Sequence, residues 1–142
     1  MLDTAPIQPL IDEMVAACDL VTPNEVEASV LTGVEVKTMD DAKKAADVFQ
    51  RKGVDEVIIT MGAQGAYVRS GSRDIVVPRR QVNTVDTTGA GDAFNGGLVT
   101  ALAEGKDLFE AAEFANVAGA LSVAKTGTAP AMPTREEIDA FI

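Results

Sequence analysis

The stretch that most constrains how this chain can fold is residues 86–97, which have the sequence DTTGAGDAFNGG. It follows the alternating apolar residues of 82–85, which predict a strand, and it leads into a run with helical spacing that extends to about Glu104. Glycines permit a sharp turn and let other groups approach the backbone closely. At the start of a helix, such a turn presents unsatisfied N–H groups, which together with the helix dipole favour a bound anion. The segment therefore predicts a strand, a glycine turn with an anion site, and a helix.

Four backbone N–H groups are expected to form this anion site, and a carboxylate stands beside them. Gly89 and Gly91 are expected to adopt positive φ, so that the N–H groups of Gly89, Ala90, Gly91 and Asp92 converge. The carboxylate of Asp92 would repel a phosphate unless it faces an incoming hydroxyl group. In that position it could accept the hydroxyl proton while the N–H groups stabilise charge on a transferred phosphoryl group.

Two familiar phosphate loops and one structural alternative bear on this interpretation. The segment lacks the Gly-Lys-Ser/Thr of a P-loop, and Phe94 stands where the dinucleotide fingerprint requires its third glycine. A glycine turn capped by an aspartate also opens many helices that bind nothing. Gly96 and Gly97 could serve only the close packing of helices. The loop alone therefore leaves phosphate chemistry and a purely structural turn both open.

The rest of the chain alternates between helix and strand patterns. Helices are expected at residues 10–18, 24–31, 40–52, from the glycine turn to 104, 108–124 and 134–142. Strands are expected at residues 19–22, 54–60, 66–69, 74–77 and 82–85. Strands separated by helices imply an α/β sheet with helices on its faces, in which ligands bind beyond the carboxyl ends of the strands.

Composition narrows the function classes. A chain of 142 residues with 46% hydrophobic and 24% charged residues is expected to form one globular domain. The net charge of −10 argues against a nucleic-acid partner, and the absence of histidine with a single cysteine, Cys18, argues against zinc and internal disulfides. A lone cysteine fits a reducing cytoplasm. The longest apolar run, residues 117–124, is too short to cross a membrane, so no membrane partner is expected.

Residues 86–99, DTTGAGDAFNGGLV, resemble position for position the C-terminal signature of the ribokinase-like (PfkB) carbohydrate kinases. The similarity extends from LDTAP at residues 2–6 to REEIDAFI at residues 135–142. It implies the C-terminal half of a ribokinase-like three-layer α/β sandwich, with a central, mainly parallel sheet and helices on both faces. It also implies ATP-dependent phosphoryl transfer to a ribose-type sugar hydroxyl. In that family Asp92 would be the catalytic base, and the backbone from Gly89 to Asp92 would be the anion hole.

The resemblance further implies residues for the nucleotide and for Mg²⁺. Asn24 and Glu27 match an Asn-x-x-Glu motif that serves phosphate and Mg²⁺ in the family, with Glu27 acting through water. Read locally, Asn24 and Glu27 are a capping box, and the two roles can coexist. Asn116 matches a position that lines the adenine pocket; its local reading is a solvent-facing or helix-bonding asparagine. The ATP loop Thr-x-Gly-x-x-Gly, otherwise an ordinary turn, matches Thr60, Met61, Gly62, Ala63, Gln64 and Gly65.

A monovalent cation, K⁺, is also implied by the resemblance. It would fix the anion hole and offset local negative charge. Ala131 departs from the family pattern, which often has a serine whose hydroxyl can join the site. The implied positions around the cation are Asp86, Thr88, Ser122, Lys125, Gly127 and Ala131.

The resemblance covers only the C-terminal half of the family fold, whereas the sugar pocket and lid come mostly from the N-terminal half. The chain alone is therefore expected to be inactive, and to form homo-oligomers through its exposed sheet edge. Within the family, fructokinases, ketodeoxygluconate kinases and nucleoside kinases share this half. Two readings of other classes remain: a stand-alone nucleotide-binding or regulatory module without transfer activity, and a structural oligomer that binds nothing.

Overall fold

The computed structural model describes residues 1–5 and 12–142, which form two compact units, Met1–Val76 and Val77–Ile142. The single domain expected for residues 1–142 stays a prediction. Part of the first predicted helix lies outside the described residues, and its described part is α1, Asp12–Ala16. Among the helices in the described residues, none has the length and apolar character needed to cross a bilayer.

A four-stranded mixed sheet is built mainly from the first unit. Its strands lie in the order of the sequence, β1 pairs in parallel with β2, and β2 pairs antiparallel with β3. Residue Leu2 adds a parallel bridge to Val21 on the other side of β1. The strands are β1, Leu20–Val21; β2, Glu56–Thr60; β3, Ala66–Ser70; and β4, Arg73–Val77.

Two capped helices, α2 (Glu25–Thr32) and α3 (Met39–Arg51), complete the first unit. Helix α2 begins at a capping box and ends at Gly33, whose φ of 73° is the left-handed C-cap conformation that glycine adopts easily. Helix α3 turns one apolar face inward, and together with β1, β2 and α2 it forms a continuous core. The buried residues on that face are Ala42, Ala45, Ala46 and Phe49.

The second unit contains three helices: α4, Ala90–Ala103; α5, Leu108–Ser122; and α6, Arg135–Asp139. Helix α6 is shorter than the 134–142 expected, because Thr134 is its N-cap and Ala140 its C-cap. A short 3-10 turn, Ala129–Ala131, lies between α5 and α6. A similar turn, Gly62–Gln64, connects β2 and β3 in the first unit.

The strand expected at residues 82–85 is wrong, since these residues are in neither strand nor helix. The N–H groups of Val85 and Asp86 both donate to the carbonyl of Val123, at 2.7 and 3.2 Å. The segment is therefore attached to the end of α5 rather than to a strand within the described residues. The side chain of Val85 is exposed, so the apolar alternation does not mark a buried face here.

Helices α4 and α5 approach each other closely at Gly97. A Cβ built on Gly97 would lie 2.9 Å from the Cβ of Ala118 and 3.2 Å from the Cα of Ala115, and neither atom can move without its backbone. Gly96 is exposed, and apart from the backbone of its own helix no atom of the described residues lies within 4 Å of the corresponding position. Close helix packing therefore accounts for Gly97, and it does not account for Gly96.

This contrast predicts opposite effects of two neighbouring substitutions. Gly97→Ala forces α4 and α5 apart, and overpacking of this kind typically costs about 1–3 kcal/mol. Gly96→Ala fills no occupied space and gains about 0.5–1 kcal/mol from the lower backbone entropy of alanine in the unfolded chain. Urea denaturation of both variants measures the difference. Equal stabilities for the two variants would contradict the close α4–α5 contact.

Candidate functional site

The predicted glycine turn forms the N-terminus of α4, with Gly89 as N-cap at a φ of 77°. Three of the four predicted N–H groups, those of Gly89, Gly91 and Asp92, donate to no acceptor in the described residues. The prediction is wrong for the fourth, because Ala90 N–H donates to the carbonyl of Thr87 at 3.2 Å and closes the turn. Gly91 also differs from expectation: it lies inside α4 and has no positive φ.

The side chain of Asp92 is exposed at the N3 position of α4 and accepts no hydrogen bond from the described residues. Four other helices also carry an acidic residue at N3, and in each of them it accepts a hydrogen bond from the N-cap N–H. Those residues are Glu27, Asp41, Glu110 and Glu137. Asp92 breaks this pattern. In the four other helices the acidic N3 residue is engaged in a capping box, whereas the carboxylate of Asp92 is available to a ligand.

A loop after α5 packs against the N-cap of α4. A Cβ built on Gly89 would lie 3.3 Å from Cγ2 of Thr128 and 3.6 Å from Cε of Met132. A side chain at Gly89 would therefore be both strained by its positive φ and crowded by this loop. The turn that holds the three free N–H groups is thus fixed from outside the helix as well as by its own backbone.

The carboxylate of Asp86 joins the same loop to the turn. Its Oδ1 accepts the backbone N–H of Thr88 at 2.9 Å, and its Oδ2 accepts the N–H of Gly127 at 3.1 Å. Hydrogen bonds from the backbone N–H and hydroxyl of Thr88, followed by the N–H of Gly127, lower the pKa of Asp86. A charged carboxylate therefore stands where the sequence predicts a cation ligand.

The other predicted cation positions lie in the segment that follows α5. Ser122 is buried, and its carbonyl accepts the N–H of Lys125 at 3.3 Å. The side chain of Lys125 reaches away to Glu137, with a Nζ–Oε1 distance of 2.7 Å. Ala131 is buried at the end of the 3-10 turn. Hydrogen bonds thus connect Asp86, Thr88 and Gly127 directly, and Ser122 to Lys125.

In the first unit, Asn24 and Glu27 form the predicted capping box. The Oδ1 atom of Asn24 accepts the N–H groups of Val26 and Glu27, each at 2.9 Å. The Oε2 atom of Glu27 accepts the N–H of Asn24 at 2.9 Å. The same oxygen accepts the hydroxyl of Thr4 at 2.7 Å. The local reading of the Asn-x-x-Glu motif is therefore confirmed, and its role toward a ligand stays a prediction.

The predicted ATP loop lies next to this capping box. Asn24 and Thr60 form a parallel bridge, and Thr60 N–H donates to the carbonyl of Pro23 at 3.0 Å. The loop closes through a hydrogen bond from Met61 N–H to the carbonyl of Gly65, at 2.8 Å. The two predicted motifs of this unit thus meet at the carboxyl ends of β1 and β2, where α/β sheets bind ligands.

Within the loop, Gly62 and Gly65 have φ of 49° and 99°, which favour glycine. Gly62, Ala63 and Gln64 are exposed, and Met61 is buried beneath them. The side chain of Gln64 donates to the carbonyl of Lys37 at 2.9 Å and so holds the turn in place. The exposed part of the loop includes the backbone of Gly62 and the small side chain of Ala63, which permit close approach of a ligand.

The side chain of Asn116 is partly buried and bonds to a segment outside its own helix. Its Nδ2 donates to the carbonyl of Pro78 at 2.8 Å, so it attaches α5 to the segment after β4. Neither the family resemblance nor the local interpretation of Asn116 predicted this hydrogen bond, which has a structural role. The predicted place of Asn116 in an adenine pocket stays a prediction.

Three residues contact the candidate sites in ways that the sequence did not predict. Thr4 contacts Glu27, and Thr128 and Met132 pack on Gly89. Each of these contacts joins residues more than twenty positions apart and belongs to no motif, so no local pattern marks it.

The matching family model, protein sequence and solved structure described next are all those of carbohydrate kinases. The pfkB family carbohydrate kinase model matches residues 1–135. A ribokinase from Haemophilus influenzae is 46% identical over 142 residues, which make up 100% of this chain and 46% of that protein. The crystal structure of a ribokinase from Thermotoga maritima superposes with a TM-score of 0.90 at 38% identity, covering 98% of this chain and 47% of that chain.

A further solved structure is that of the Arabidopsis thaliana ribokinase complexed with ribose and ATP. It superposes with a TM-score of 0.92 at 32% identity and covers 98% of this chain and 46% of that chain. These superpositions confirm the predicted α/β fold class. The chain spans about half the length of the relatives that it matches.

Proposed function

Because the chain belongs to the pfkB family of carbohydrate kinases, we propose that it carries the nucleotide-binding and catalytic part of an enzyme that transfers a phosphoryl group from ATP to a sugar hydroxyl. A ribose-type sugar is the proposed acceptor. Similarity to ribokinases, one of them solved with ribose and ATP, supports this choice. Fructokinase, ketodeoxygluconate kinase and nucleoside kinase activities are the alternatives within the family.

The observation that carries the proposal is the carboxylate of Asp92 beside three N–H groups, none of which has a hydrogen-bond partner in the described residues. A sugar hydroxyl that approaches Asp92 would donate its proton to the carboxylate as the hydroxyl oxygen attacks phosphorus. The N–H groups of Gly89, Gly91 and Asp92, at the positive end of α4, would stabilise the charge on the phosphoryl oxygens. Ala90 would contribute by closing the turn, because its own N–H donates to the carbonyl of Thr87.

Nucleotide binding is assigned to the groups that the family motif marks. The exposed loop of residues 60–65 would lie along ATP, Asn24 would contribute at the phosphates, and Asn116 would contribute at the adenine. Glu27 would hold Mg²⁺ through water, and Mg²⁺ would neutralise phosphate charge when bound. A carboxylate oxygen suits this hard cation, and Oε1 of Glu27 accepts no hydrogen bond from the described residues.

K⁺ is the proposed monovalent cation, and it would be held by Asp86 and by carbonyl groups of the neighbouring loop. The charged carboxylate of Asp86 and its hydrogen bond to Gly127 support this assignment. The proposed ligand carbonyls are those of Thr88, Ser122, Lys125 and Gly127, with Ala131 supplying no side-chain oxygen. A bound cation would offset local negative charge beside the anion hole.

A fusion enzyme, in which the unmatched remainder of the Haemophilus influenzae ribokinase precedes Met1, allows the cation proposal to be tested. K⁺ is expected to raise kcat/KM of the fusion enzyme more than Na⁺ does, and Asp86→Ala is expected to abolish this preference. Asp86→Ala also removes the hydrogen bonds that Thr88 and Gly127 donate to the carboxylate, so the measured quantity is the ratio of rates in K⁺ and Na⁺. An unchanged ratio in the variant, or equal rates in wild type, would contradict the assignment.

Two other function classes make different predictions. A structural oligomer would bind no nucleotide, whereas a kinase part or a regulatory module would. NMR titration of the chain with ADP and Mg²⁺ is expected to shift the amide signals of Gly62, Gly65, Gly91 and Asp92. Shifts confined to sites away from these residues, or no shifts at millimolar ADP, would contradict the proposed site. We further propose a cytoplasmic location and homo-oligomers, and no nucleic-acid or membrane partner.

A further inference from the structure

Thr4 belongs to none of the motifs above, yet its side chain is buried against the carboxylate of Glu27. The Thr4 hydroxyl donates to Oε2 of Glu27 at 2.7 Å, and the two residues are 5% and 6% exposed. Twenty-three positions separate them in the sequence. The hydrogen bond is therefore a tertiary contact of two buried polar side chains, and such contacts need a physical reason.

The first residues of the chain bring Thr4 to this position. Leu2 N–H donates to the carbonyl of Leu20 at 2.8 Å, and Thr22 N–H donates to the carbonyl of Leu2 at 3.2 Å. This segment therefore runs parallel to β1. Thr4 lies two residues further on, next to the point where β1 ends and α2 begins. Backbone pairing at the sheet thus fixes the side chain of Thr4 beside the N-terminus of α2.

The two oxygens of Glu27 have different environments. Oε2 accepts two hydrogen bonds, one from the Thr4 hydroxyl and one from Asn24 N–H. Oε1 accepts none from the described residues. A buried carboxylate is costly unless it is hydrogen-bonded, and two donors on a single oxygen fix the plane of the group. The arrangement leaves Oε1 as the oxygen that is available to another partner.

We propose that Thr4 is a positioning residue, which orients Glu27 so that Oε1 faces the water shell of a nucleotide-bound Mg²⁺. The inference rests on the proposed function, and it assigns to Thr4 a role that no motif implies. Mg²⁺ keeps several of its waters and takes carboxylate oxygens as partners, which suits one oriented carboxylate. Groups that orient such ligands typically contribute about 10–100-fold to metal affinity.

A purely structural role for Thr4 makes a different prediction. If the hydroxyl only stabilised the capping box of α2, its removal would lower the stability of the chain and leave the Mg²⁺ dependence of binding unchanged. A positioning role predicts that ADP binding in the absence of metal is unchanged, and that more Mg²⁺ is needed to strengthen it. The metal dependence therefore separates the two roles.

The test measures ADP affinity of the full chain by NMR titration over a series of Mg²⁺ concentrations, with EDTA as the metal-free reference. Thr4→Val removes the hydroxyl and keeps the shape of the side chain. It is expected to raise the Mg²⁺ concentration for half-maximal effect about ten-fold, the lower end of the range for outer partners of a metal ligand. Thr4→Ser keeps a hydroxyl and is expected to restore the wild-type value. In a Glu27→Gln background, Thr4→Val is expected to add no further shift.

The outcomes are distinguishable. If Thr4→Val does not fold, comparison of Thr4→Ser with Thr4→Ala gives the same contrast, since the two differ only by the hydroxyl. A wild-type Mg²⁺ dependence in the hydroxyl-free variants would overturn the role of Thr4 while leaving the proposed function intact. ADP binding by wild type that ignores Mg²⁺, or no ADP binding at all, would overturn both the proposed function at this site and the inference.

Discussion

Asp92→Asn in the fusion enzyme is expected to lower kcat by about 10²–10⁴-fold, the usual contribution of a general base. Asparagine has nearly the same size and keeps the backbone N–H at the start of α4, but it cannot accept the hydroxyl proton. Because Asp92 accepts no hydrogen bond from the described residues, the substitution breaks no contact that holds the turn. ATP affinity is therefore expected to stay close to that of wild type.

Steady-state kinetics with ribose and ATP measure kcat, and direct titration measures ATP affinity in the same preparation. Glu110→Gln is a matched control, because Glu110 occupies the same N3 position of α5 but is engaged in a capping box. It is expected to affect stability slightly and kcat very little. If Asp92→Asn kept more than a tenth of the wild-type kcat, Asp92 would not be the base.

The chain on its own is expected to show no ribose-dependent ADP formation above background. Holding an acceptor in line with ATP can lower a barrier by about 7–11 kcal/mol, and the groups in this chain cannot replace that contribution. The resemblance assigns most of the sugar contacts and the lid to the other half of the family fold, and lids also exclude water from the reaction. Asp92 and the backbone N–H groups of Gly89 and Gly91 alone should therefore be insufficient.

Weak nucleotide binding and self-association are expected to accompany this inactivity. Several apolar side chains are exposed, among them Val26, Val30, Val85 and Val99, and exposed apolar surface favours association. Sedimentation measures the oligomeric state, and a coupled assay measures ADP formation. Robust turnover by the chain alone, or a monomer that binds ATP tightly, would contradict this expectation.

Local chemistry explains which parts of the fold could be predicted. The start of α2 at Asn24 and its end at Gly33 follow from a capping box and a left-handed glycine, which act over a few residues. The apolar face of α3 follows from helical periodicity alone. The strand expected at residues 82–85 failed because sheet pairing requires a neighbouring strand, whereas Val85 is attached to the carbonyl of Val123.

Some features of the candidate site could likewise be predicted from the sequence, and others could not. The turn at Gly89 and the position of Asp92 at the start of α4 were predictable, since the glycine pattern and the family signature both mark them. The engagement of Ala90 N–H was not, because it depends on how tightly the turn closes onto Thr87. The contact of Thr4 with Glu27 could not be predicted for a different reason, because it forms only when the segment around Leu2 pairs with β1.

The measurement that tests the central claim most directly is ribose-dependent ADP formation by the fusion enzyme in the presence of Mg²⁺ and K⁺. If this chain carries the catalytic part of a sugar kinase, ADP should appear together with phosphorylated ribose in equal amounts, and omission of ribose should abolish both. A fusion enzyme that folds and binds ATP, but forms no phosphorylated product from ribose, fructose, ketodeoxygluconate or nucleosides, would contradict the claim and favour a nucleotide-binding module.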